Sequence, residues 1–146
     1  MMIEVSFLQK HSLFGGLMED QIKQILPIME RETYNSGDNI IVEGEPNDRI
    51  RFILEGRVAV VKHDLELSEF GEGDTVGEME VLDVMPSAAT IKALSGTRVI
   101  SISNKGLRDI YKIDIHSFSL IIMNLARDLS RRLRRMNDKA VEQSEH

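Results

Sequence analysis

Gly73-Asp74-Thr75-Val76-Gly77-Glu78-Met79, followed closely by Pro86-Ser87-Ala88-Ala89-Thr90, is the stretch on which the reading of this chain turns. Glycine at 77 lets backbone amides approach a bound group more closely than a residue with a Cβ would allow. Amides at the start of a short helical turn attract anions, because their N–H groups lack partners inside the helix. Glu78 adds a carboxylate that accepts hydrogen bonds from hydroxyls. Pro86 then sets the chain direction, and Ala88 and Ala89 are small enough for a ligand to lie against.

The surrounding sequence gives the frame for this turn. Short β-rich runs at Asn39–Val42, Ile50–Leu54, Arg57–Lys62, Thr90–Ala93 and Arg98–Ile102 are separated by Gly37, Gly44, Gly56, Gly71, Gly73 and Gly96. Val58, Val60 and Lys62 fall on one face of a strand, and Arg57, Ala59 and Val61 on the other. Evenly spaced short strands with glycine turns predict a sandwich, barrel or jelly roll. Upstream, apolar residues at 22, 25, 26 and 29 have helical spacing, and Pro27 predicts a kink or two short pieces. Downstream, Asn104 is placed to cap a short helix through Tyr111. A longer helix starts near His116 or Ser117 and reaches about Asn137.

With these residues in place, the chain resembles the cyclic nucleotide-binding domain family, which includes catabolite-activator type regulators and kinase regulatory subunits. The resemblance runs from about Phe7 to Met136. It includes Ser12-Leu13-Phe14 with Leu17, Gly37-Asp38, Glu43-Gly44-Glu45, Asp48, Phe52-Ile53-Leu54-Glu55-Gly56 and Val58, besides the cassette itself. The implied fold is mainly β: a jelly roll over about 33–103, with N-terminal helices and a long C-terminal helix. The implied domain covers 1–137 (helices over about 104–137), and 138–146 is expected to be a frayed polar tail. The implied ligand contacts are Val76, Gly77, Glu78, Met79, Ser87 and Ala88, with phosphate on the amides of Gly77 and Ala88 and a ribose hydroxyl on Glu78. The implied ligand is cyclic AMP, cyclic GMP or another nucleotide, with no other cofactor.

One departure governs how far that function carries over. The family has an arginine before the alanine pair, where this chain has Ser87. A guanidinium suits that place because its planar fork gives two parallel, charge-assisted hydrogen bonds to phosphate. Losing one partner of such a buried pair costs roughly 3–5 kcal/mol, two to three decades of affinity or slightly more. Glu80, where the family has a small apolar residue, adds negative charge. The expectation is a regulatory ligand-sensing module that binds cyclic mononucleotides weakly or takes an altered ligand. The alternative is a non-binding dimerisation or interaction scaffold.

The last helix bears on both readings. Phe118, Ile122, Leu125, Leu129 and Met136 follow a four-three rhythm, with Arg132 at the missing step. This stripe is either a coiled-coil-like seam or a face laid on the β-domain. Relatives use the corresponding helix to dimerise and close over the ligand, so a homodimer is the expectation, with Arg132 as a lid residue or substitute cation. Arg127, Arg131, Arg132, Arg134 and Arg135 otherwise read as a solvated helix face.

Bulk properties set limits around these readings. A chain of 146 residues supports one domain with a real core. Its 42% hydrophobic and 29% charged content is that of a soluble globular protein, and cytoplasm is the expected compartment. A net charge of −6 opposes general nucleic-acid affinity. Ten residues follow Met136, too few for a helix-turn-helix, so no DNA-binding domain is expected and any output passes to a separate protein. No apolar run reaches bilayer length. The histidines (His11, His63, His116, His146) are scattered, no cysteine is present, and no serine sits in a nucleophile elbow. Neither a metal site nor a catalytic site is expected, and the chain does not read as an enzyme.

Overall fold

In the computed structural model, which describes residues 3–145, eight strands form two four-stranded antiparallel sheets. The strands are β1 (Glu30–Tyr34), β2 (Asn39–Ile41), β3 (Arg49–Glu55), β4 (Arg57–Lys62), β5 (Leu65–Gly71), β6 (Thr75–Val76), β7 (Thr90–Ala93) and β8 (Thr97–Ser103). One sheet runs β1-β8-β3-β6 and the other β2-β7-β4-β5. The helices are α1 (Val5–Gln9), α2 (Glu19–Ile25), α3 (Glu78–Asp83), α4 (Asn104–Ile113) and α5 (Ile115–Ser144). This is the jelly roll with flanking helices that the glycine-punctuated strands predict.

The side-chain alternation of β3 and β8 explains why two cores form. Ile53 and Val99 point between the sheets, meeting Ile40, Ile41, Val58, Val76, Ile91 and Ala93. Ile50, Phe52, Ile100 and Ile102 point the other way, against Leu13, Phe14, Ile22, Leu107, Ile110, Ile121 and Leu125 of the helical layer. The pairing Ile50↔Ile102 and Phe52↔Ile100 keeps both apolar sets in register. Strands β3 and β8, beside which β6 brings the chain to the cassette, are therefore buried on both faces.

Several boundaries differ from those read in the sequence. Strands β1, β5 and β6 extend the predicted set. The segment around Pro27 does divide, into α2 and a 3₁₀ turn at Leu26–Ile28. The cap of α4 is the Ser103 hydroxyl, which accepts from the Gly106 amide, rather than Asn104, which lies inside the helix. Asp114 caps α5 by accepting from the His116 amide. The expected frayed tail is instead helix as far as Ser144. His63 and Asp64, with φ of 51° and 64°, form the two-residue turn between β4 and β5. Among the described residues no group of three or more His, Asp or Glu is placed to hold a metal, and no helix is long and apolar enough to cross a membrane.

Candidate functional site

The cassette begins where β6 ends. Gly77 has φ of 84°, in the left-handed region, and turns the chain from β6 into α3. A Cβ there would sit 2.7 Å from the Arg49 carbonyl oxygen and 2.8 Å from Asn47 Nδ2. That approach is used: the Asn47 amide donates to the carbonyls of both Gly77 (3.1 Å) and Arg49 (2.9 Å). Arg51 donates to Asn47 Oδ1 at 2.9 Å and to Glu32 at 2.9 Å, which fixes the amide's orientation. The second half of the cassette is tied to the turn after β2. Ser87 donates its amide to the Glu45 carbonyl (2.9 Å), and the Gly44 amide donates to the Ser87 carbonyl (2.8 Å). The two halves are thus positioned by different sheets.

Glu78 opens α3 and is only 4% exposed. Arg132 from α5 reaches across the domain to it, its guanidinium 2.5 Å from the Glu78 carboxylate. The same guanidinium donates to the Thr75 carbonyl at 2.7 Å and lies 4.5 Å from the centre of the Phe70 ring. Burial raises the Glu78 carboxyl above its ordinary value, and the Arg132 charge and the residue's own backbone amide oppose that rise. Glu80, one residue beyond Met79, is also raised, again mainly by burial, against its own backbone amide. Both acids therefore offer carboxylates to the amides that open α3.

Ser87 is 3% exposed, and its hydroxyl has no hydrogen-bond partner of proper distance and angle. It lies close enough to Glu80 to favour that residue's charged form, though not in the geometry of a formed hydrogen bond. Met79 and Ala88 are exposed, and Val76 is buried at the end of β6. Val84 ends α3 with φ of 59° and ψ of 32°, a left-handed conformation uncommon for a β-branched residue, and is 84% exposed. Two surface clefts of about 540 and 700 Å³ lie instead around α1 and β1. Their linings are mixed charges and apolar side chains, without the buried polar groups that distinguish the cassette.

The stripe on α5 resolves into two parts. Leu125 is 1% exposed in the helical-layer core, and Phe118 and Ile122 pack against that core. Leu125 is thus corrected from seam to interior residue: the helix lies on its own domain there. Asn124 fastens it, donating to the carbonyls of Leu13 and Gly15, both at 3.0 Å. Leu129 is half-buried on the same face, and Arg132, the apparent gap in the rhythm, is the residue that reaches the cassette. Leu133, Met136 and Val141 are exposed further along. Sequence reasoning missed Asn47, Thr75 and Phe70 as parts of the site. Only the Asn47-Asp48 turn signal and the lone aromatic of β5 could have pointed to them.

The site is thus a buried carboxylate at the head of a glycine-turned short helix, on a jelly roll closed by a long helix. The profile of the cyclic nucleotide-binding domain matches residues 31–114, and the chain belongs to that family. A cGMP-dependent protein kinase of Caenorhabditis briggsae is 31% identical over 108 residues, 69% of this chain and 14% of the kinase. The catabolite activator protein of Thermus thermophilus superposes with a TM-score of 0.78 at 25% identity, over 91% of this chain and 63% of that one. The regulatory subunit of a cAMP-independent protein kinase A from Trypanosoma brucei gives 0.70 at 26% identity, covering 85% and 45%. In that structure the subunit is a mutant bound to cAMP. Its changes are glutamate to alanine, threonine to arginine and valine to alanine, the first two seven residues apart and the last two adjacent. The chain spans 14%, 22% and 59% of the lengths of three curated relatives it matches, less than two thirds in each case.

Proposed function

We propose that this chain is a regulatory ligand-sensing module in which cyclic mononucleotides bind weakly, so that an altered ligand sets its state. The observation that carries this reading is Ser87: a buried hydroxyl without a partner, beside Glu80, at the place where the family puts arginine. A cyclic phosphate there would find no guanidinium and would face a carboxylate. The loss is about 3–5 kcal/mol relative to an arginine-bearing site.

Signal transfer would run through the ion pair. A ligand hydroxyl taken up by Glu78 competes with Arg132 for the same carboxylate, so occupancy of the cassette changes how firmly α5 is held. Ligand shifts the balance only by its different affinity for the two arrangements of the helix. The exposed Leu133, Met136 and Val141 favour a homodimer along the distal part of α5. The same exposed residues support the scaffold reading, in which α5 acts without any ligand.

Isothermal titration of the full chain with cyclic AMP and cyclic GMP separates these readings. Binding no tighter than micromolar is expected, and a nanomolar constant would overturn the assignment of Ser87. No heat with any nucleotide or nucleoside, from a protein that is dimeric by light scattering, would leave the scaffold reading in possession.

A further inference from the structure

We infer that the cassette recognises an uncharged nucleoside, with a free sugar hydroxyl meeting Ser87 and Glu80 where a cyclic nucleotide carries its phosphate. This deepens the sensing role proposed above and rests on it. A carboxylate only accepts hydrogen bonds, whereas a serine hydroxyl donates one and accepts others. The group that satisfies both neighbours is one that donates and accepts at once, and a hydroxyl does so. A phosphate only accepts: it can use the Ser87 O–H but turns its oxygens on Glu80.

The charge distribution points the same way. Glu78 and Glu80 carry two negative charges into the turn, and Arg132 returns one positive charge. That guanidinium is already committed to Glu78, to the Thr75 carbonyl and to the Phe70 face. An anion would thus enter a turn holding one excess carboxylate, and the amides opening α3 face the carboxylates of their own residues. An uncharged ligand meets no such opposition. Ser87 supplies the independent sign that something belongs there, since a hydroxyl 3% exposed and unpartnered is costly to leave empty.

The trypanosome regulatory subunit offers a parallel in residue type and spacing. Its cAMP-bound mutant exchanges a glutamate for alanine and, seven residues on, a threonine for arginine. Glu80 and Ser87 are an acid and a hydroxyl residue seven apart in this chain, and Ala88 already provides the third change.

The test is a titration of the full-length wild type and of Glu80→Ala/Ser87→Arg, with adenosine and guanosine against cyclic AMP and cyclic GMP. Wild type should bind a nucleoside at least tenfold more tightly than its cyclic phosphate, and the double variant should reverse that order. Glu80→Gln, which keeps shape and removes charge, should by itself improve cyclic nucleotide binding several-fold. This single change guards against a double variant that folds poorly. Wild type preferring the cyclic phosphate, or Glu80→Gln leaving that affinity unchanged, would refute the inference. If wild type binds neither nucleoside but the double variant takes cyclic nucleotide, the uncharged-ligand inference fails while the sensing role survives. If no protein binds any of the four, the sensing role fails as well.

Discussion

Replacing Arg132 with alanine removes the cation from a carboxylate that water barely reaches. Glu78 would then either stay charged without its partner or take up a proton. The second route caps the electrostatic penalty. At pH 7, protonating a group whose ordinary value is 4.5 costs about 3.4 kcal/mol, at about 1.36 kcal/mol per pH unit. The Arg132 side chain is 19% exposed, so some water enters in its place, and about 2–3 kcal/mol is the expected loss at neutral pH. For a chain of this size that lowers Tm by roughly 4–12 °C. The pH dependence is the sharper signature. Burial already holds the folded-state value of Glu78 above its unfolded one, and removing Arg132 raises it further. The penalty on the charged form is thus full above the raised value and fades as pH falls toward 4.5. Thermal melts of wild type and Arg132→Ala from pH 4.5 to 8 should show a gap that is widest at the alkaline end and narrows steadily with acid. Adding Glu78→Gln to the variant should recover most of the loss. A gap below about 1 °C at pH 7.5, or one constant across the range, would refute the claim that this ion pair is buried and holds α5 to the cassette.

The remaining expectations concern the turn, the strained residue and the helix. Gly77→Ala should destabilise by about 1–3 kcal/mol through backbone strain alone, with the contacts to Arg49 and Asn47 adding to it; an unchanged urea midpoint would contradict the turn geometry. Val84→Asn relieves a left-handed valine and should gain about 1 kcal/mol, or about 2–4 °C in Tm, and a fall would show that the valine makes contacts worth more than its strain. Leu125→Ala should cost about 2–5 kcal/mol as a core cavity, whereas Met136→Ser should change only the molecular mass measured in sedimentation. Equal effects of the two on stability would undo the division of α5 into an inner and an outer part.

Much of this architecture was legible because β3, β4, β7 and β8 carry apolar residues in runs bounded by glycine. Strand β5 was not, for a physical reason. Leu65, Glu66, Leu67, Ser68 and Glu69 are all exposed, and the Leu-Glu-Leu-Ser alternation lasts only four residues before a register shift against β4 breaks it, too short a run to mark a strand. The end of α5 misled in the same way: a helix surrounded by solvent past Leu133 has the polar sequence of a frayed tail. The cassette glycine, glutamate and serine were legible from residue type and spacing. Arg132 came near the cassette only through the family resemblance, as a lid or substitute cation; its pairing with Glu78 was not legible, since a four-three rhythm cannot say whether its face meets another chain or its own domain. The inner part of the stripe, to Leu125, packs on its own domain, and the step that breaks the apolar rhythm is the one that reaches Glu78.

Asn124 has a mechanical consequence. By fastening α5 to the Leu13 and Gly15 carbonyls, it makes that point a fulcrum, with Arg132 two turns further along as the latch. From Asn124 to Ser144 the helix is about 30 Å long at 1.5 Å per residue. A tilt of about 10° about Asn124 on release would swing the tip by about 5 Å, so an event the size of one hydrogen bond would reach any protein docked there as a movement as large as a side chain.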